Sequence, residues 1–139
     1  MKKAVKSIAL LALISMFLVL LAGCGGNKLV ATKETEDDYM GKCKEIITIT
    51  FKNDKATNVE MTAEFDKKET ATQMYSLFNL GMSMSEGKAP EGMSVKQDGK
   101  KVIVTMDAAT YAEQNGKKDE DMTKEAFKKA LEDDGYTVK

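Results

Sequence analysis

From Lys44 the chain alternates, with Ile47, Ile49 and Phe51 on one side and Thr48 and Thr50 on the other, the period-two pattern of a strand with one buried face. Asn53-Asp54-Lys55 makes a turn. The pattern then resumes with Val59, Met61, Ala63 and Phe65 set against Glu60, Thr62 and Glu64, which predicts a hairpin. Asp66 follows as a candidate helix N-cap with Glu69 three residues on, and Ala71, Met74, Tyr75, Phe78 and Met82 then recur at helical spacing.

Ser83 to Gly92 holds Ser, Gly and the one proline, Pro90, and reads as a mobile loop. A second hairpin follows. Met93 and Val95, then Val102, Val104 and Met106, alternate about the short turn Asp98-Gly99, with Ile103 the apolar exception on the polar face. Asp107 is placed to cap a short helix reaching about Gln114, stopped by Asn115 and Gly116. After a charged linker, Lys117 to Asp121, Thr123 caps a last helix in which Ala126, Phe127, Ala130 and Leu131 face inward. Gly135 suits a left-handed C′ position, with Tyr136 able to pack back on Leu131.

The order is hairpin, helix, hairpin, helix, helix, and the hairpin-Asp-helix unit occurs twice. This predicts an α+β fold in which two β-hairpins form an antiparallel sheet with the helices packed on one face. The opposite face, carrying Thr48, Thr50, Glu60, Thr62, Glu64 and Thr105, is expected to stay wet or to bind a partner.

Upstream of this domain the pattern is different in kind. Lys2, Lys3 and Lys6 precede an uncharged apolar run from Ile8 to Leu20, the layout of an export signal. The run closes on Leu21-Ala22-Gly23-Cys24, which resembles the lipobox of bacterial lipoproteins at each position. That resemblance implies a diacylglyceryl group on the Cys24 thiol, cleavage between Gly23 and Cys24, and an extracytoplasmic domain anchored by lipid to the cell membrane. Two acyl chains hold firmly where one holds marginally, each buried CH2 contributing about 0.8 kcal/mol. An uncleaved spanning helix is the competing reading, but Ile8 to Ala22 falls short of the roughly 20 residues needed to cross a bilayer.

Cleavage before Cys24 leaves 116 of the 139 residues, enough for one domain on a tether. The expected organisation is a signal peptide over 1–23, a flexible tether over 24–42 and a single α+β domain over 43–139. The tether reading rests on Gly25-Gly26-Asn27 and on the acidic Glu34, Glu36, Asp37 and Asp38, with no sustained apolar period. Losing three lysines takes the formal net charge from −1 to −4, which disfavours nucleic acid as a partner.

All 21 basic residues are lysine, and the chain has no His, no Arg and no Trp. Ser-His-Asp and Cys-His nucleophiles and His-based zinc sites are thereby excluded. No cofactor is implied. With Cys24 acylated, Cys43 is the one remaining thiol, and it is open to three readings: a small core side chain, a mixed-disulfide or redox group, or a soft-metal ligand.

Three functional readings follow. The first is a non-enzymatic binding or accessory module at the membrane with an unidentified protein or small-molecule partner. The second is a Cu(I)-binding lipoprotein using the thioethers of Met82, Met84 and Met93 with the Cys43 thiolate, since soft ligands suit Cu(I). The third is an enzyme using carboxylates alone, with Asp66, Glu69, Glu60 and Glu64 as candidates. Asp119, Glu120 and Asp121 lack the glycine and spacing of a calcium loop.

With the lipobox, the Thr- and Lys-rich strand pair, the segment F-D-K-K-E-T-A-T-Q-M-Y from Phe65 and the closing E-A-F-K-K-A-L-E-D-D-G-Y-T-V from Glu125, the chain is similar to the small YehR-like bacterial lipoproteins. The resemblance implies an α+β domain on a lipid anchor. It carries no catalytic residues to transfer, because the family has no assigned biochemical activity.

Overall fold

The alternation that starts at Lys44 lies in the interior of a six-stranded antiparallel sheet in the computed structural model, which describes residues 27–84 and 90–139. In chain order the elements are β1 (Lys28–Asp37), β2 (Gly41–Lys52), β3 (Lys55–Phe65), α1 (Lys68–Met84), β4 (Met93–Asp98), β5 (Lys101–Asp107), α2 (Ala108–Asn115), a 3-10 turn (Asp119–Met122), α3 (Lys124–Asp133) and β6 (Thr137–Val138). The spatial order is β4-β5-β3-β2-β1-β6, and the three α-helices of the described residues lie on one side of the sheet, as the α+β reading expects.

The two predicted hairpins form where their turn residues permit. Asn53 and Asp54 take positive φ, 51° and 61°, the twist that a two-residue hairpin loop requires between Lys52 and Lys55. Asp98 pairs with Lys101 around a second two-residue loop, in which Gly99 alone takes positive φ, 57°. β3 and β5 then join the hairpins edge to edge, with Val59 opposite Met106 and Met61 opposite Val104.

Two caps stand where the sequence places them. The Asp107 carboxylate accepts the Thr110 N–H at 2.7 Å, and the Thr123 hydroxyl accepts the Ala126 N–H at 3.3 Å. At the end of α3, Gly135 sits at φ +87° and the Tyr136 N–H donates to the Leu131 carbonyl at 2.9 Å, a Schellman closure. The start of α1 differs. Lys67, not Asp66, supplies the first capping carbonyl, accepting from the Ala71 N–H at 3.3 Å, so Asp66 lies one residue ahead of the cap. The expected loop over Ser83 to Gly92 is also shorter, because Ser83 and Met84 belong to α1; 85–89 lie outside the described residues.

The tether expectation is corrected over most of its length. Lys28–Asp37 is a ten-residue strand paired with β2 throughout, and Leu29 and Ala31 are 1% and 0% exposed. Its apolar anchors are few, and the half beyond Lys33 is exposed edge, so its composition is that of a linker while its ladder is that of a strand. The folded unit therefore includes Lys28–Asp37, well before 43. The proposed signal peptide over 1–23, Gly23 and Cys24 lie outside the described residues. No helix among the described residues is long and apolar enough to cross a membrane.

Two buried clusters fill the helix side of the sheet. Leu29, Ala31, Ile49, Phe51, Val59, Met122, Phe127 and Leu131 form one, beneath α3, with Phe127 edge-on to Phe51 at 6.0 Å between ring centroids. Cys43, Phe65, Ala71 and Val102 form the other, beneath the start of α1.

Candidate functional site: an apolar cleft over the middle of the sheet

The helices divide the inner face unequally. α1 packs on β4, β5 and β3, α2 on β3 and β5, and α3 on β1 and β6. The register places Ile47, Met61 and Val104 side by side across β2, β3 and β5, with Glu45 and Ala63 in the next row. Ile47, Met61 and Ala63 are only partly buried, because the helices part above them.

The space left between is a cleft of about 430 Å³. Ile47, Met61, Val104 and Met106 line its floor, Phe78 and Met93 stand on the α1 side, and Tyr111, Gln114 and Asn115 stand on the α2 side. A second hollow of about 370 Å³ adjoins it, sharing Phe78, Met93 and Gln114 and extending along α1 past Leu77 and Met82. Both volumes lie in the range that holds a small molecule, roughly 300–1,000 Å³, and both linings are predominantly apolar.

Two of its polar groups, Glu45 and Tyr136, meet at one end. Glu45 projects onto the inner face in phase with Cys43, Ile47 and Ile49, and its carboxylate accepts a hydrogen bond from the Tyr136 hydroxyl. Burial raises the Tyr136 pKa above the usual phenol value, and the hydrogen bond to Glu45 and neighbouring negative charges raise it further. Lys33 stands opposite Glu45 on β1, yet its ammonium donates to the Asp134 carbonyl at 2.8 Å and lies 5.3 Å from the centre of the Tyr136 ring. That contact satisfies a carbonyl at the end of α3 and places a cation at the negative end of the helix.

Cys43 sits near this end but within the core, 8% exposed beside Phe65 and Ala71. Burial first, and the Glu45 charge second, raise its thiol pKa, which lowers the thiolate fraction that metal binding or exchange chemistry would need. The copper set is not assembled as expected. Cys43 pairs with Phe65 while Met93 aligns, through Met106, with Val59, six residues back along β3 and so about 20 Å away in that direction alone. Met84 is 81% exposed. Met82 and Met93 do share one hollow, together with Met74.

The carboxylates considered for catalysis are dispersed. Glu60 and Glu64 lie on the outer face, about 13 Å apart along one strand, beyond the separation that paired glycosidase carboxylates keep. Asp66 and Glu69 flank the start of α1. Among the described residues no three His, Cys, Asp or Glu side chains are grouped to hold a metal ion.

Among the described residues, no helix covers the outer face. Its Thr residues surround Val30, Ile46 and Ile103, all partly buried, and one edge row alternates in charge through Asp98, Lys101, Glu64, Lys44 and Glu34. Lys101 and Glu64 approach to 3.9 Å. The pairing satisfies cross-strand charge and leaves no single-sign field.

Glu45, Lys33 and the Tyr136 hydroxyl are missing from the residues singled out in the sequence. The signal was there: each charge falls on the inward phase of its strand, Glu45 two residues before Ile47 and Lys33 two after Ala31. No protein-family model, curated protein or solved structure matches the chain. The likeness to YehR-like lipoproteins therefore rests on the quoted residues alone.

Proposed function

We propose that the chain is an extracytoplasmic lipoprotein, held at the cell membrane by a diacylglyceryl thioether on Cys24, and that its domain is a non-enzymatic binding module taking an apolar group into the cleft between α1 and α2. The observation that carries the binding role is the partly uncovered row Ile47, Met61 and Ala63 at the centre of the inner face, where a closed core is the ordinary outcome. Glu45 and Tyr136 at one end supply an acceptor and a phenol for orienting what enters. A non-enzymatic role is supported by a chain without His or Arg, in which proton transfer near neutral pH would fall to carboxylates that stand apart.

Native mass spectrometry of the chain purified from its own membrane tests both parts. A chain beginning at acylated Cys24, releasing a small apolar molecule on unfolding, is the expected result. A chain retaining 1–23 with an unmodified Cys24 overturns the anchor, and failure to bind any apolar probe saturably overturns the cleft.

A second reading keeps the hollow and changes its occupant. Met74, Met82 and Met93 line one hollow, and their thioethers are a donor type suited to Cu(I) without Cys43. Titration with Cu(I) under reducing conditions decides it, absence of saturable uptake removing the idea.

A further inference from the structure

β1 begins at Lys28 and is tied down one residue earlier, where the Asn27 carbonyl accepts the Phe51 N–H at 2.7 Å. A lipid on Cys24, the reading on which this inference rests, is thus three residues from the folded body, a reach of at most about 11 Å. The domain is held close to the bilayer by one end of its sheet. That end carries the row Leu29, Ile49, Val59, Met106 and Met93. The β1–β2 turn with Tyr39 lies about 30 Å further along β1.

α1 runs back toward the anchored end. Near its start, the Thr72 hydroxyl accepts from the Gln97 amide at 2.9 Å, and Ala71 packs with Phe65 and Cys43 at the far end of the sheet. Near its finish, Met82 lines a hollow with Pro90 and Met93. Its second half exposes Leu77, Leu80 and Met84 by 60%, 57% and 81%, and their spacing of three and four residues puts them on one stripe. From Thr70 to Met84 the helix has no charged residue, in a chain that is 31% charged. Leu77 also lines the apolar hollow, so stripe and hollow are continuous.

An exposed apolar helix stripe without charge, at the end where a lipid tether leaves the domain, matches an interfacial lipid surface. We propose that Leu77, Leu80 and Met84 seat α1 in the headgroup region of the bilayer that holds the Cys24 lipid. The domain then lies on the membrane by two attachments, the acyl chains and this stripe.

The test uses the lipidated chain in phosphatidylethanolamine–phosphatidylglycerol vesicles, with Leu80→Cys, Met84→Cys and Tyr39→Cys variants each labelled with an environment-sensitive fluorophore. Buried Cys43 stays unlabelled and the Cys24 thiol is occupied. On vesicles, iodide quenching at 80 and 84 is expected to fall at least about threefold relative to 39, with blue-shifted emission. Equal quenching at all three positions on chain that floats with the vesicles overturns the docking and leaves the anchor standing. Chain that neither floats nor carries lipid overturns the anchor and the docking with it. In unlabelled Leu80→Cys chain, an oxidative cross-link between two copies would place a second copy on the stripe and overturn the proposal as well.

Discussion

The Tyr136 hydroxyl donates to the Glu45 carboxylate across 91 residues of chain, joining the closing segment after α3 to a strand in the middle of the sheet. Tyr136→Phe keeps the ring that packs against the α3 core cluster and lies beneath Lys33 but removes this bond. Hydrogen bonds to charged groups contribute roughly 1.5–3 kcal/mol when buried. Both residues are only partly buried, so the expected loss is about 1 kcal/mol, read as a lower urea midpoint with an unchanged slope.

Alkaline pH should act through the same phenol. The folded-state pKa of Tyr136 is raised, and that of Tyr111 is raised by burial and by the Asp134 charge. Above the unfolded phenol value of about 10, the unfolded chain has released protons that the native chain still holds, so stability is full below that pH and falls as pH rises past it. Denaturant midpoints from neutral pH to pH 11 should show this fall, and Tyr136→Phe should flatten it.

Gly92 has no room for a side chain. A Cβ there would lie 2.1 Å from Asp107 Oδ2 and 2.6 Å from Thr110 Oγ1, and the backbone is at φ +84°. The Gly92 carbonyl also accepts the Asp107 N–H at 2.9 Å, so the turn and the α2 cap are one unit. Gly92→Ala is expected to cost at least about 1–2 kcal/mol from the left-handed backbone alone. Thermal unfolding measures it, and an unchanged midpoint would contradict the packing of this turn.

Cys43 should be nearly inert in the native chain. Its thiol is buried and its pKa raised by burial and Glu45, so both access and thiolate fraction are low. Labelling by a disulfide reagent at neutral pH is expected to be slow in buffer and complete in urea. Rapid native labelling would revive the redox reading.

The cleft can be made to report on itself. Gln114 lines both hollows, and the chain has no tryptophan, so Gln114→Trp installs a single indole emitter at the mouth. Saturable change in its emission with an apolar probe is expected, weakened at least tenfold by adding Met61→Glu to the floor, since a buried charge without a partner is costly. Titration without saturation would remove the binding role.

Local chemistry determined much of this protein before any contact was known. Alternation at Ile47–Phe51, Val59–Phe65 and Val102–Met106, the turn residues Asn53, Asp54 and Gly99, and the caps Asp107 and Thr123 each act within a few residues, so they are legible in one dimension. Leu21-Ala22-Gly23-Cys24 is legible in the same way as an expected anchor. Tertiary structure alone decided that Lys28–Asp37 is a strand, because two buried residues and a ladder to β2 outweigh an acidic, linker-like composition. It alone decided that Cys43 lies far from Met93, that Glu45 meets Tyr136, and that the helices part over Met61. Those facts depend on which strands become neighbours, and the free energy that chooses neighbours is summed over residues far apart in the chain.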